Sequence, residues 1–119
     1  MNLLTKSLRE QLLANGRQQA AAREQGSAEI DFQPVVKLFT PDANATWLLT
    51  ELDPDDGITA FGLMDLGLGS PELGYVSLHE LSDIRGALRL HVERDLHFVA
   101  DKTLSQYADK ARRDRCIRT

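Results

Sequence analysis

From Trp47 to Leu81 the chain reads WLLTELDPDDGITAFGLMDLGLGSPELGYVSLHEL, short apolar runs separated by clusters of Asp, Pro and Gly. Apolar runs of this length bounded by turn formers read as strands, and a short Gly-containing connection between two of them reads as a hairpin. Trp47–Leu52 is therefore predicted as a strand, Asp53-Pro-Asp-Asp-Gly57 as its turn and Ile58–Asp65 as the returning partner. Gly67–Gly74 follows as a loop, and Tyr75–Ser77 as a brief further strand. Ser77-Leu-His-Glu80 has the spacing of a capping box, which starts a helix at about Leu78 that ends near Gly86. Strand periodicity puts Trp47, Leu49 and Glu51 on one face and Leu48, Thr50 and Leu52 on the other. Apolar residues on both faces predict a strand covered on two sides.

The flanks are consistent with this centre. Pro34–Pro41 supplies a first strand closed by proline at each end, where no ladder hydrogen bond is needed. Residues 2–14 place Leu4, Leu8 and Leu12 at helical spacing, and Asn15-Gly16 reads as a C-terminal stop. The Ala- and Gln-rich stretch Arg17–Gln25 favours a further, weakly packed helical turn or two before Gly26-Ser27 breaks it. Val92–Val99 reads as a last extended segment, with Leu90, Val92, Leu96 and Val99 as inward candidates. Thr103-Leu-Ser-Gln106 is a second capping box, and Leu104, Tyr107, Ala108 and Ala111 form the apolar stripe of the helix it opens. The expected fold is α+β: a small, mostly antiparallel sheet of four to five strands, an N-terminal helix, a short helix after the fourth strand and a C-terminal helix. The 119 residues are expected to form a single domain, with a helical segment at 1–28, a sheet core at 34–99 and a C-terminal helix at 103–116.

Charge is unevenly distributed. Between Lys37 and Arg85 there is no Lys or Arg, while Asp42, Glu51, Asp53, Asp55, Asp56, Asp65, Glu72, Glu80 and Asp83 all lie there. The segment from Arg85 onward is basic, and the formal net charge of the chain is −4. That sign disfavours non-specific binding to nucleic acid or an anionic membrane. No apolar run approaches the ~20 residues of a membrane span. Lys6, Arg9 and Glu10 interrupt the only early apolar stretch, so no signal peptide is expected. The single Cys116 excludes an internal disulfide framework, and a reducing cytoplasm is the expected location.

Chemistry is sparse. Gly67–Gly74 lacks the Gly-Lys-Ser/Thr of a phosphate cradle, and Asp65 and Glu72 would repel an anion there. Asp53–Gly57 is acidic, but its glycine is misplaced for a calcium loop. His79, His91 and His97 have no compact ligand spacing, and no nucleophile elbow is present, so no metal or cofactor is expected. Glu51 sits in an apolar strand, where an unpaired buried charge costs several kcal/mol. Arg94, within another apolar run, is its expected partner.

The runs VKLFTPD, WLLTELDP, AFGLMDLG, ELGYVSLHEL and ERDLHF, with LLTKSLREQL at the start, occur in that order. Together they resemble a bacterial family known as domain of unknown function 2958, over about residues 2–107. Glu51, Glu72, Gly74, Tyr75, Glu93, Arg94 and Asp95 sit on that family's recurring pattern, which carries no catalytic assignment with it. The stretch 17–28 is longer than the family's usual link, and Leu88–His91 lacks its Gly/Pro turn. The resemblance implies a small protein encoded on plasmids and other mobile elements, near genes for DNA transfer and antirestriction.

The leading expectation is a non-enzymatic accessory protein that binds an unidentified protein partner through an acidic face, with Asp53, Asp55, Asp56, Asp65 and Glu72 as contacts. A second expectation is a small-molecule or metal-binding pocket, in one form a hydrolase, built from Glu51, Glu72, Tyr75, Arg94 and Asp95. A third is DNA contact through the basic C-terminal helix, where Lys110, Arg112, Arg113 and Arg115 cluster.

Overall fold

The computed structural model describes residues 3–119, and the predicted helix start at residue 2 lies outside them. The elements are α1 (Lys6–Glu24), β1 (Val36–Phe39), β2 (Thr46–Leu52), β3 (Thr59–Asp65), β4 (Glu72–Ser77), α2 (Leu78–Asp83), β5 (Glu93–Arg94) and α3 (Leu104–Asp114). The strands form one five-stranded sheet in the order β4-β3-β2-β1-β5, with each pairing antiparallel. The architecture is the α+β arrangement expected from the pattern of elements.

β2 lies at the centre and is covered on both faces. On one side Leu12 of α1 and Leu81 of α2 pack with Leu38, Trp47, Leu49, Leu52 and Ala60. On the other, the apolar stripe Leu104, Tyr107, Ala108 and Ala111 of α3 lies against Leu48 and Leu63. A fully buried Leu in either cluster stabilises the fold by about 2 kcal/mol. α3 is fastened at its N-terminus, where Gln106 Oε1 accepts from the Thr103 N–H at 2.9 Å and Asp31 Oδ1 from the Ser105 N–H at 3.1 Å. Ser77 Oγ accepts from the His79 N–H at 3.2 Å and caps α2, while the return bond to Glu80 that a full capping box would add is absent among the described residues.

The predicted stop at Asn15-Gly16 is not one, for α1 runs through it as a continuous helix of 19 residues. The reason lies in the sheet. β1 pairs with β2 only as far as Val36 opposite Leu49, which leaves the Thr50–Leu52 edge of β2 open on that side. α1 fills it: Asn15 Nδ2 donates to the Thr50 carbonyl at 2.9 Å. Gly16 lies so close to the Leu52 carbonyl that a Cβ would overlap it. The residues that read as a helix terminator are a helix-to-strand contact. The true end is at Gly26, where φ is +68°. There the Gly26 N–H reaches the Arg23 carbonyl at 3.1 Å and the Ser27 N–H that of Ala22 at 2.9 Å, a Schellman closure.

Three boundaries move. β4 begins at Glu72 rather than Tyr75, because Glu72 and Leu73 pair with Met64 and Leu63; Gly74 opposite Gly62 masks the strand signal. α2 ends at Asp83, short of Gly86. Residues 86–90 instead wrap the Asp42 carboxylate, which accepts from the Leu88 N–H at 2.6 Å and the Leu90 N–H at 3.3 Å. The predicted strand Val92–Val99 shrinks to Glu93–Arg94. Asp95 Oδ1 accepts from the His97 N–H at 2.9 Å, which turns the chain away from the sheet. Of the four inward candidates only Val92 is buried, while Leu96 and Val99 are largely exposed.

Candidate functional site

One residue in the middle of β2 decides what faces what. The β2–β3 register runs Leu49 opposite Gly62, then Glu51 opposite Phe61, so Thr50 is an extra residue. A bulge of this kind reverses the side-chain parity beyond it. Leu52 rejoins the face of Trp47 and Leu49, and Glu51 is turned to the α3 side beside Phe61. The expected shared face of Trp47, Leu49 and Glu51 therefore breaks at Thr50. Phe61 is in turn paired with Tyr75. Glu51, Phe61 and Tyr75 form one cross-strand row, with the two aromatic centroids 5.0 Å apart.

α3 covers the neighbouring row of Leu48 and Leu63. The Glu51 row is approached instead by the second half of α1. Gln19 is nearly buried, and its carboxamide pairs with the backbone of Ile30 much as a peptide would. Oε1 accepts from the Ile30 N–H at 2.9 Å, and Nε2 donates to the Ile30 carbonyl at 3.0 Å and to Glu51 Oε1 at 3.3 Å. One turn on, Arg23 donates from Nε to Glu29 Oε1 at 3.1 Å and from Nη2 to the Tyr75 hydroxyl at 3.4 Å.

Glu51 is 7% exposed and makes no ion pair among the described residues. Its hydrogen bonds, from Gln19 and from the Thr50 hydroxyl at 3.4 Å, both fall on Oε1. Burial pushes its carboxyl above the usual carboxylate range, against the downward pull of the Gln19 hydrogen bond and the nearby Arg23 charge. A carboxyl raised in this way favours the fold while protonated and costs stability as pH rises through its folded value. Glu51→Gln is therefore expected to raise stability at neutral pH by about 1 kcal/mol, the scale of an ill-compensated buried polar group. The gain should vanish in acid, where Glu51 is protonated in folded and unfolded chains alike. Denaturant unfolding at neutral and acid pH measures both; a loss at neutral pH would show that the fold needs the charge.

Glu51, Phe61 and Tyr75 wall a groove of about 440 Å³ with Gly16, Arg23, Asp53 and Asp55. A second cavity of about 290 Å³ shares Arg23, Glu51 and Phe61 and continues past Gln19 and Ile30 to Leu104. A wider trough of about 730 Å³ lies where the C-terminal tail crosses the sheet near Lys37, Asp65 and Ile117. Its buried carboxylate, Asp65, has both oxygens engaged, by the Gly67 N–H and the Ile117 N–H, each at 2.9 Å. The Glu51 groove is the better candidate because its carboxylate keeps an oxygen without a hydrogen-bond partner among the described residues.

The structure brings Glu51 and Tyr75 together and disperses the rest of the sequence-predicted pocket. Glu72 pairs with Met64 at the opposite end of β4. Arg94 and Asp95 lie on the far side of the sheet. Arg94 does not pair with Glu51: it sits on β5, beyond β1, and its Nη1 donates to the Leu3 carbonyl at 2.7 Å. Asp95 meets Lys37 at 3.5 Å. His97 lines a separate cavity with Asp95, Lys102 and Tyr107, away from Glu51. Among the described residues no cluster of His, Cys, Asp and Glu has the makings of a metal site.

The acidic set also divides. Asp53, Asp55 and Asp56 are exposed on the β2–β3 turn. Asp65 is buried, so it offers no carboxylate to a partner, and exposed Glu72 stands at the other end of the sheet. Hydrogen bonds from Thr59 N–H, Ile58 N–H and the Thr59 hydroxyl hold the Asp56 carboxyl below the usual range. Sequence reasoning missed Gln19, Arg23 and Phe61. The spacing of Gln19 and Arg23, one helical turn apart within an otherwise small-residue stretch, was the available signal.

Among the described residues no helix is long and apolar enough to cross a membrane. Searches of curated proteins and of solved structures found no match. A family profile described as "Protein of unknown function (DUF2958)" matches residues 3–118, nearly the whole chain. The ordered motifs, the strands and helices they form and the extent of that match agree: the chain belongs to the domain of unknown function 2958 family.

Proposed function

We propose that this is a non-enzymatic binding protein that docks a protein partner of basic character through the acidic β2–β3 turn. The observation that carries the reading is the state of the turn. Asp53, Asp55 and Asp56 are exposed, and none is paired with a cation among the described residues. The Arg9 guanidinium lies over Gly57 but makes no ion pair with them. The turn is also built to hold its shape, since Asp53 Oδ1 accepts from the Asp55 N–H and Asp56 Oδ1 from the Ile58 N–H, each at 2.8 Å. Glu80 and Asp83 add negative charge at the same end, because the Leu78 N–H at the start of α2 reaches the Ile58 carbonyl at 2.9 Å. A fixed, unpaired potential of this kind orients and speeds encounter with a basic surface.

The setting we propose is the bacterial cytoplasm, in an accessory role to a mobile genetic element. The family's association with such elements supports it, as does the free thiol of Cys116. The basic helix offers weaker support for DNA contact, since Lys110 and Arg112 are already paired with Asp114 and Asp109 on α3 itself.

Asp55 is the residue to test, because its carboxylate makes no hydrogen bond within the described residues and its reversal leaves the turn intact. With a partner captured from the native host, Asp55→Lys is expected to slow association about tenfold at low salt, with the difference fading at high salt. Stopped-flow or surface-based kinetics measures it. Association that ignores both salt and Asp55 would refute docking through this turn.

A further inference from the structure

We propose that the groove beside the acidic turn is an anchor pocket for one arginine side chain of the docked partner, with Glu51 and Asp53 as its carboxylates and Tyr75 as its stacking wall. The inference rests on the docking reading above and adds the residue that the partner inserts.

Glu51 is a carboxylate more than nine-tenths buried on the groove wall, with both of its protein hydrogen bonds on one oxygen. The other oxygen, Oε2, has no protein partner among the described residues and is not one of the buried unpartnered atoms, so it stays open to the groove and can take a donor from a cation. The cation nearest to hand, Arg23, is drawn to Glu29 and to the Tyr75 hydroxyl instead. The remaining walls suit a guanidinium. Tyr75 is 60% exposed, and its ring meets that of Phe61 at a tilt of 59° with the centroids 5.0 Å apart, which leaves aromatic surface open at the mouth. Asp53 and Asp55 stand on the rim. Neighbouring strands lie about 4.8 Å apart, so Glu51 and Tyr75 stand roughly 10 Å apart on either side of Phe61, and a guanidinium lying over the Phe61 row can reach both. A planar guanidinium gives its edge to a carboxylate and its face to an aromatic ring at once, which a lysine ammonium does less well. The groove also continues the acidic turn, so a partner led in by the turn arrives with a basic side chain already over the opening.

The test uses the full chain and the peptide acetyl-Gly-Arg-Gly-amide, followed by two-dimensional NMR of the labelled protein. The arginine peptide is expected to shift the Gln19 side-chain amide and the Phe61 and Tyr75 backbone amides. The same peptide with neutral citrulline should not. Glu51→Gln, which is expected to leave the fold intact, should weaken binding at least fivefold. Arg23→Ala, which removes the competing cation, should tighten it several-fold. No shift at these positions, or binding equal in wild type and Glu51→Gln, overturns the anchor. Shifts confined to Asp53–Asp56 overturn it while leaving docking through the turn standing. Free arginine bound tenfold more tightly than the peptide would make this a small-molecule site and overturn the partner as its occupant. Loss of the salt and Asp55 dependence of partner binding, with peptide binding intact, would instead refute the docking reading alone.

Discussion

Gly16→Ala is expected to destabilise the protein by about 3 kcal/mol, the upper range for overpacking a close contact. In a solvent-facing helix the same change would stabilise by roughly 1 kcal/mol, because alanine is the better helix former. The sign is reversed here by what Gly16 touches. A Cβ at this position would overlap the Leu52 carbonyl oxygen and also meet the Leu52 carbonyl carbon, at 2.9 Å. Both are backbone atoms of the central strand, and neither moves aside as a side-chain tip would. Relief requires α1 to lift away, which stretches the bond from Asn15 Nδ2 to the Thr50 carbonyl and draws Gln19 from Glu51. The urea midpoint followed by circular dichroism measures the loss. An unchanged or higher midpoint would show that α1 does not seat against β2 at this depth.

Asp65→Ala should cost about 2–3 kcal/mol and free the C-terminal tail. The Asp65 carboxylate is 4% exposed and accepts from two backbone donors, the Gly67 N–H and the Ile117 N–H. Hydrogen bonds to a charged group contribute about 1.5–3 kcal/mol, and donors stranded in a buried place add to the loss. Ile117 packs against the cluster under α3, so releasing its N–H also loosens that apolar contact. Asp65→Asn keeps one acceptor and should lose about half as much. Hydrogen exchange separates the two parts of the effect: the amides of residues 115–119 should lose protection well before those of β2. Uniform loss across the chain would mean that the tail is not a separate latch.

The legible part of the molecule was what local chemistry specifies. Trp47–Leu52, the Asp53–Gly57 turn and Ile58–Asp65 form the expected hairpin within a residue at each end. Both predicted capping serine and threonine positions, Ser77 and Thr103, do precede helices. Apolar residues on both faces of β2 correctly meant cover on both faces. The candidate site was half legible. Glu51 and Tyr75 were singled out and do share a groove, but the proposed cation for Glu51 was not Arg94, and the helix that supplies Gln19 and Arg23 was expected to be weakly packed.

Turns, caps and the alternation of apolar residues were determined by the sequence itself, because each depends on backbone angles and side chains a few positions apart. The environment of Glu51 was decided only by the tertiary structure. One extra residue at Thr50 turned its carboxylate to the other face, and the early end of β1 opened the edge that α1 fills. Both are matters of how strands of different length pair across the sheet, and pairing register is a property of two segments at once that neither segment carries alone.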